Sequence, residues 1–359
     1  MRVCYFGKFD PNYARNRVFI RGLKKNGVEV IECNSDRRGL FSVTWDLIKK
    51  HRQLKDQYDV MVVGFLGHTP AILASFITKK PIAFNALISL YDSTVFDRKN
   101  VSPRSWRALY YWLLDKLSCQ LVDLVILDTA AHIDYFVRTF RLPIDKFQRV
   151  FVGSDEEIFS PLPAPPTGNK FLVNFHGTFI PLHGAEYIVE AANLLKKENI
   201  HFNLIGRGQT YQEIHQLIVN RQLSNVSLID YLGYLDSPPF QKLKKYLAEA
   251  DICLGIFGNT QKARNVIPNK VFEILAMRKP LLTGDSPASR EILTDRTNVL
   301  FCKMADPADL AEKILELKNN QGLREKIAAN GYHLFQSQLR SDIIGKQLKE
   351  ILNELCSKN

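Results

Sequence analysis

The segment around residue 270 combines basic residues with a single acid in a spacing that suits an anionic sugar ligand. Three cations fall within nine residues: Lys262, Arg264 and Lys270. Pro268 and Asn269 mark the start of an apolar helix, whose free N–H groups and dipole attract an anion such as a diphosphate. Glu273, one turn inside the helix, can accept hydrogen bonds from sugar hydroxyls. The same residues also suit an acid that complements the helix dipole beside solvated basic side chains.

A second candidate for phosphate binding is the glycine turn Gly206-Arg207-Gly208, which follows a predicted strand and precedes a predicted helix. Glycines let backbone N–H groups approach a phosphate closely, and Arg207 adds a positive charge. The dinucleotide fingerprint G-x-G-x-x-G is incomplete because Tyr211 occupies its last position, so a nicotinamide site is disfavoured. A plain tight turn explains the same residues equally well.

Polar residues in the first half of the chain mark loops that follow predicted strands. Arg15 and Asn16 end the loop KFDPNYARN, where they can contact an acceptor, although Asn16 as a helix cap is an equal alternative. Asp92 in SLYDS can orient an acceptor or cap its own loop. His176 and His183 frame a further loop, but no acid lies near them in the sequence, so we predict no metal site.

Strand and helix patterns alternate through both halves, which predicts a mostly parallel sheet covered by helices in each half. The stretch 160–169, SPLPAPPTGN, separates the halves, with four prolines and no charge. We therefore predict two doubly wound α/β domains, residues 1–160 and 161–337, and a C-terminal helix at about 338–359 that packs back onto the first. Ligands bind at the carboxyl ends of such strands, so we expect a site in a cleft between the domains.

The net charge of +11 is concentrated in the first half of the chain. Residues 1–150 hold 24 lysines and arginines against 14 aspartates and glutamates, whereas the remainder is nearly balanced. Such asymmetry indicates an anionic partner, either a membrane surface or a nucleic acid, unless it serves solubility alone.

Two basic segments in that half also carry aromatic side chains. Residues 37–56 include Trp45, and residues 103–116, a helix that we expect Ser102 to cap, include Trp106. Basic helices with aromatic faces bind anionic membranes, although the same aromatics can instead face the core. The two segments together favour peripheral contact with an anionic membrane, and no RNA-binding or DNA-binding module matches.

No apolar run approaches the roughly 20 residues that span a bilayer, and residues 1–6 are predicted to form a strand rather than a signal peptide. The six scattered cysteines show neither metal-site nor redox spacing. We therefore expect a cytoplasmic protein that is neither exported nor integral to a membrane.

Six stretches of the second half, in order, resemble the donor domain of the retaining family-four glycosyltransferases, which have the GT-B fold. They are VFVGSDEEIFSPLP, GTFIPLHGAEYIVEAANLL, LIGRG, YLGYL, AEADICLGIF and VFEILAMRKPLLTGDSPASREIL. They are spread over most of residues 150–320, in family order. The resemblance implies two Rossmann-like domains that face each other across a cleft, the first for an acceptor and the second for a nucleotide-sugar donor.

The resemblance also implies roles for individual residues. Glu273 would hold the ribose hydroxyls, and Lys270 with the helix start would hold the diphosphate. Asn265 stands in place of the first of the family's paired acids and would face the donor sugar. Asp92 would lie near the reaction centre, with Tyr91 in place of the family's histidine. The other implied donor contacts are Thr178, His183, Gly206, Arg207, Gly208, Tyr231, Lys262, Arg264, Asn269 and Glu291.

Some positions depart from the family pattern. The arginine and lysine that grip the diphosphate in the family fall at Thr178 and His183, so the nearby cations would have to replace their charge. Glu291 matches a further family acid near the nucleotide, but it can equally cap a helix that begins at Ser286.

The resemblance implies a retaining glycosyltransferase that moves a sugar from a nucleotide-diphosphate donor to a hydroxyl of a cell-surface glycan or a lipid-linked acceptor. The donor is a co-substrate, and neither a resident cofactor nor a metal is expected. Two alternatives share the architecture: a sugar-nucleotide epimerase, whose catalytic acids we do not find in the matching loops, and a binding protein that has lost activity, which Asn265 and Tyr91 would suit.

Overall fold

The computed structural model describes residues 1–54, 57–163, 170–231 and 240–358. The chain forms two compact units. One comprises Met1–Gly153 together with the residues from Arg340 onward, and the other is Ser154–Leu339. Of the proline-rich stretch 160–169, only the first four residues belong to the described part of the chain, so the predicted hinge lies largely outside it.

Parallel strands and helices alternate throughout. The strands are β1 (Arg2–Gly7), β2 (Glu29–Asn34), β3 (Val60–Val63), β4 (Ile82–Asn85), β5 (Leu124–Leu127), β6 (Phe147–Arg149), β7 (Phe171–His176), β8 (Ile200–Ile205), β9 (Val226–Ile229), β10 (Ile252–Leu254), β11 (Leu281–Gly284) and β12 (Leu300–Cys302). The helices are α1 (Ala14–Lys25), α2 (Leu40–Gln53), α3 (His68–Ile77), α4 (Trp106–Gln120), α5 (Ala130–Phe140), α6 (Ala185–Leu194), α7 (Tyr211–Asn220), α8 (Gln241–Glu249), α9 (Gln261–Asn265), α10 (Asn269–Ala276), α11 (Pro307–Asn319), α12 (Gln321–Leu334) and α13 (Ser341–Lys358).

Each unit contains one six-stranded sheet whose strands pair in parallel. The first sheet has the order β2-β1-β3-β4-β5-β6 and the second the order β12-β11-β10-β7-β8-β9. In each sheet the chain begins at a central strand and adds further strands outward on both sides, which is the pattern of a doubly wound sheet. Such sheets bind ligands at the carboxyl ends of their strands. The prediction of two doubly wound α/β sheets is confirmed.

Helices cover both faces of the first sheet. Residues from α2, α3 and α5 build the core on one face, and residues from α1 and α13 build it on the other. Helices α1 and α13 cross at two glycines: a Cβ added to Gly345 would lie 2.0 Å from the backbone of Gly22. Such a close backbone approach excludes any larger residue at this crossing, and it fixes the C-terminal helix on the first unit.

The start of α4 differs from the prediction. Ser105, rather than Ser102, is the N-cap, and its Oγ accepts a hydrogen bond from the Ala108 amide at 3.3 Å. The carbonyl of Ser102 instead accepts from the Ser105 hydroxyl at 2.7 Å, which closes a turn before the helix. The short strands β6 and β12 have no counterpart in the sequence prediction because three residues show no readable alternation.

None of the helices in the described ranges is both long enough and apolar enough to cross a membrane.

Candidate active site

The loops after β7, β8 and β10 meet at the carboxyl end of the second sheet, and glycines allow their backbones to touch. A Cβ added to Gly206 would lie 1.9 Å from the Gly177 carbonyl, and one added to Gly208 would lie 2.5 Å from the Phe179 carbonyl. Both glycines are therefore required for packing against the loop after β7. This close approach gives the glycine turn a structural explanation that needs no phosphate.

Lys270 lies in the first turn of α10 and is only 4% exposed. Its ammonium lies 3.7 Å from the centroid of the Phe175 ring and has no hydrogen-bond partner in the part of the chain that the structure describes. Gly177 leaves the space that it occupies, because a Cβ there would lie 2.8 Å from the Lys270 Nζ. Burial lowers the Lys270 pKa well below its ordinary value, although Glu273 acts in the opposite direction.

Glu273, one turn further along α10, pairs with a histidine that is distant in the sequence. Its Oε2 lies 2.9 Å from Nε2 of His176, the last residue of β7. Both side chains are largely buried, so the pair fixes the direction of the carboxylate. This partner is not apparent in the sequence, because no acid lies close to His176 along the chain. The two positions could have been linked by topology, because the end of a parallel strand and the start of a following helix lie at the same edge of the sheet.

His183 completes the surroundings of the lysine. Its ring is buried, packs edge-on against Phe175 and forms a hydrogen bond with the Thr178 backbone. Burial, followed by the positive charge of Lys270, lowers the His183 pKa well below its usual value. The Thr178 residue itself is exposed.

We call Lys270, Glu273, His176 and His183 the lysine cluster. It holds one carboxylate and three basic groups, and burial disfavours the charged forms of Lys270 and His183. An arriving polyanion would reverse that preference and draw protons onto these groups. Among the described residues, no three His, Cys, Asp or Glu side chains are arranged to hold a metal ion.

The other two cations of the segment around residue 270 both belong to α9 but differ in burial. Lys262 is buried, whereas Arg264 is exposed. Asn265 is also buried, and its Oδ1 accepts a hydrogen bond from Gln261 at 3.0 Å. Asn269 does not cap α10, because Pro268 occupies the N-cap position and no side chain makes the capping bond.

Three further predicted donor contacts lie elsewhere at this end of the sheet. Arg207 forms an exposed ion pair with Asp230, and Tyr231 is half-buried immediately after it. Glu291 ends a short 3₁₀ turn, and the Ser286 amide, from which a capping acid would accept, donates instead to Ser289 Oγ at 3.0 Å. The rest of the predicted tyrosine strand, residues 232–234, lies outside the described residues.

In the first unit, Arg15 and Asn16 are fully buried in the first turn of α1, which begins at Ala14 rather than at Asn16. Arg15 donates to Asn85 Oδ1 at 2.9 Å and to the carbonyls of Val150 and Phe151. Burial lowers its pKa to about 10.

Asn16 is equally well held, because its Oδ1 accepts from Tyr5 and from the Phe65 amide. Neither side chain presents surface to solvent. The geometry therefore supports a structural role for both residues rather than the predicted contact with an acceptor.

Asp92 is buried at the start of a π-helical turn, Asp92–Asp97, after β4. Its loop is organised by Asp115 of α4, which accepts hydrogen bonds from the Ser89 hydroxyl and from the Leu90 and Tyr91 amides. His68 of α3 lies 3.2 Å from the same carboxylate. Asp115 was not among the predicted site residues, because nothing in the pattern of α4 marks it as an anchor for a loop 24 residues away.

Four aromatic side chains of the basic helices face outward, whereas Tyr111 and Trp112 of α4 pack against the core, so the alternative that the aromatics face the core holds for those two only. Phe41 and Trp45 of α2 are 85% and 63% exposed, and Trp106 of α4 is 76% exposed. Helix α4 exposes an apolar stripe at helical spacing: Trp106, Leu109, Tyr110, Leu113 and Leu117. Its buried face instead carries Asp115 and other small or polar residues. Thirteen of the sixteen large apolar side chains exposed among the described residues belong to the first unit.

Comparison with known proteins confirms the resemblance to glycosyltransferases in the second half of the chain. Residues 170–320 match the family model described as glycosyl transferases group 1. The uncharacterized glycosyltransferase MJ1178 of Methanocaldococcus jannaschii is 30% identical over 157 residues, or 44% of this chain. That match spans 41% of the length of the M. jannaschii protein.

Solved structures resemble the whole chain in fold. Anabaena HepE in complex with UDP and glucose is 14% identical, with a TM-score of 0.76 over 99% of this chain and 100% of HepE. The sucrose-phosphate synthase tll1590 of Thermosynechococcus elongatus is 13% identical, with a TM-score of 0.75 over 100% of both chains. The chain therefore has the GT-B fold of these proteins.

Proposed function

We propose that this chain is a glycosyltransferase that moves a sugar, with retention of configuration, from a nucleotide-diphosphate donor to a hydroxyl of a cell-surface glycan or lipid-linked acceptor. The observation that carries the proposal is the Lys270 ammonium, which is buried at the start of α10 without a hydrogen-bond partner among the described residues. A buried ammonium without a hydrogen-bond partner is costly, so its burial argues for an anion that binds there.

Different residues of the lysine cluster suit different parts of the nucleotide-sugar donor. Lys270, His183 and the N–H groups at the start of α10 suit the diphosphate, since a helix of this length directs its partial positive charge at the same point. Glu273, held by His176, suits the ribose hydroxyls. Asn265, buried at the end of α9, suits the donor sugar, and Asp92 of the first unit suits the acceptor side.

The chemistry needs little from the protein beyond charge and position. The bond between the sugar and the diphosphate breaks, the electron pair leaves with the phosphate oxygen, and protonated Lys270 stabilises that oxygen. The acceptor hydroxyl attacks from the same face, and its proton passes to the departing diphosphate. Such preorganised electrostatic stabilisation is usually the largest catalytic contribution.

The experiment that tests this function is donor hydrolysis without an acceptor. Nucleoside diphosphates and their sugars are first ranked by thermal shift, with uridine compounds first because the similar HepE was solved with UDP, and a ligand that binds only the native protein raises its midpoint. We expect one nucleotide-sugar to be hydrolysed slowly, with release of a sugar of unchanged anomeric configuration. Release of an epimer would identify an epimerase instead, and binding without release would identify a protein that has lost activity.

We further propose that the first unit places the enzyme on the cytoplasmic face of an anionic membrane. The exposed apolar side chains of α2 and α4 support this proposal, together with the excess of basic residues in the same unit. Exposed aromatic and leucine side chains are costly in water and enter the interfacial region of a bilayer, while lysines and arginines contact its anionic headgroups.

This membrane contact predicts that the double change Phe41→Ser and Trp45→Ser reduces co-sedimentation with phosphatidylglycerol vesicles at least fivefold, because both side chains leave water on binding. Transfer to a soluble acceptor should stay unchanged. The matched control is Leu194→Ser with Val219→Ser, which removes two apolar side chains, each 58% exposed, from the second unit. Equal loss of sedimentation in both double variants would contradict the assignment of the surface.

A further inference from the structure

An apolar groove opens beside the carboxyl end of the first sheet, between α2 and the segment that leads into α3. Its volume is about 430 Å³, within the range of about 300–1,000 Å³ typical of small-molecule sites. Leu40 and Leu47 of α2 form one wall, and Leu66 and Leu73 form the other. Lys8, immediately after β1, contributes the basic end. The proposed donor chemistry uses none of these residues.

Leu66 is held in this groove against its conformational preference. Its φ of +66° lies in the left-handed region that disfavours a branched side chain, and it is 54% exposed. Leu66 therefore has a strained backbone although its side chain is not buried in the core. Strained residues that contribute nothing to the core concentrate at ligand sites.

The charged residue that lines the groove, Lys8, is basic. Lys8 Nζ donates to the Arg37 carbonyl at 2.8 Å, and the Arg37 and Arg38 residues of that segment are exposed. None of the residues that line the groove is acidic. An apolar channel with a basic end complements a molecule that joins a hydrocarbon chain to a phosphate.

We propose that this groove binds the hydrocarbon chain of a lipid-linked acceptor and that Lys8 contacts the phosphate of that acceptor. The identity of the molecule as an acceptor rests on the proposed glycosyl transfer. Its place in the fold agrees, because doubly wound sheets bind ligands beyond the carboxyl ends of their strands. The exposed Phe41 and Trp45 follow Leu40 on the same helix, so a chain drawn from a bilayer would enter beside the membrane-binding side chains.

The test uses decyl phosphate below its micelle-forming concentration, titrated into the full chain by isothermal titration calorimetry, with butyl phosphate as the short-chain comparison. We expect decyl phosphate to bind at least 30-fold more tightly, because its additional methylene groups are transferred from water into the apolar groove. Equal affinities for the two phosphates would overturn the proposal.

Variants then locate the binding. Thr44→Trp fills the groove from the α2 wall and should weaken decyl phosphate binding at least tenfold. Phe76→Ser, which removes an exposed aromatic side chain of α3 that is not among the lining residues, should leave it within twofold. Leu66→Asn is the second variant: asparagine tolerates a positive φ, so this protein should be at least as stable as the parent and still bind decyl phosphate less well. Unchanged decyl phosphate binding in both Thr44→Trp and Leu66→Asn would show that the alkyl chain binds elsewhere and would contradict the assignment of this groove.

The same proteins separate this proposal from the glycosyltransferase proposal. Thr44→Trp should bind uridine diphosphate as the parent does, since the lysine cluster belongs to the other unit. A parent protein that binds decyl phosphate in the groove but binds and hydrolyses no nucleotide-sugar would leave the groove as a lipid site and overturn its role in sugar transfer.

Discussion

Replacing Lys270 with methionine is expected to weaken nucleoside diphosphate binding about 100-fold while making the protein more stable. Hydrogen bonds to charged groups contribute about 1.5–3 kcal/mol each, and Lys270 lies in the first turn of α10. The free protein gives this ammonium no hydrogen-bond partner within its described residues, so a methionine of similar shape over Phe175 removes a cost. We expect the free energy of unfolding to rise by about 1–3 kcal/mol.

The measurements are calorimetric titration with the preferred diphosphate and chemical denaturation of the unliganded protein. Lys245→Met is the matched control, because it removes one exposed positive charge from the same unit without touching the lysine cluster. It should change neither quantity appreciably. A Lys270→Met protein with parental affinity and reduced stability would show that the lysine is structural, and the donor assignment would fail.

The lowered pKa of Lys270 gives this prediction a pH dependence with a definite sign. The diphosphate favours the ammonium form, so binding should take up a proton and weaken as the pH rises above the pKa of the free protein. In the unliganded protein the unfolded chain binds the additional proton, so stability should rise with pH between the lowered folded-state pKa and the ordinary value of about 10.4. Titrations in two buffers of different ionisation enthalpy measure the uptake, and Lys270→Met should lack its contribution.

Glu273→Gln should lower kcat/KM for the nucleotide-sugar by about 10- to 100-fold, chiefly through a higher donor KM, because a neutral amide accepts hydrogen bonds from sugar hydroxyls more weakly than a carboxylate. The glutamine oxygen can still accept from His176, so the fold should persist. Steady-state kinetics with varied donor concentration provides the measurement.

The control for Glu273→Gln is Glu312→Gln on α11, an exposed acid of the same unit whose neutralisation should leave KM unchanged. An unaltered donor KM in Glu273→Gln would remove this carboxylate from the donor site. A fall in kcat alone would instead assign it to the reacting sugar, the position that we propose for Asn265.

Local sequence patterns determined the architecture of both units, because alternation of apolar strands with amphipathic helices leaves few other arrangements. They also located the start of α10 and the functional candidates Lys270 and Glu273, since helix starts have readable residue preferences. They failed at element ends such as α4, where Ser102 and Ser105 are equally good caps in sequence and only the turn geometry selects one.

What only the tertiary structure decided was which residues become neighbours and which side chains remain in water. His176 and Glu273 are 97 residues apart, yet parallel packing brings the end of β7 to the start of α10. Arg15 has the charge expected of a ligand contact, but it is enclosed and bound to backbone carbonyls 135 residues away.

The same holds for α2 and α4. Their composition allows the aromatic side chains to point either way. The fold leaves Phe41, Trp45 and Trp106 in water but packs Trp112 against the core, on the side of α4 where Asp115 holds the loop after β4. Sequence fixes the preferences of each segment, whereas burial and partnership depend on long-range contacts that no single segment contains.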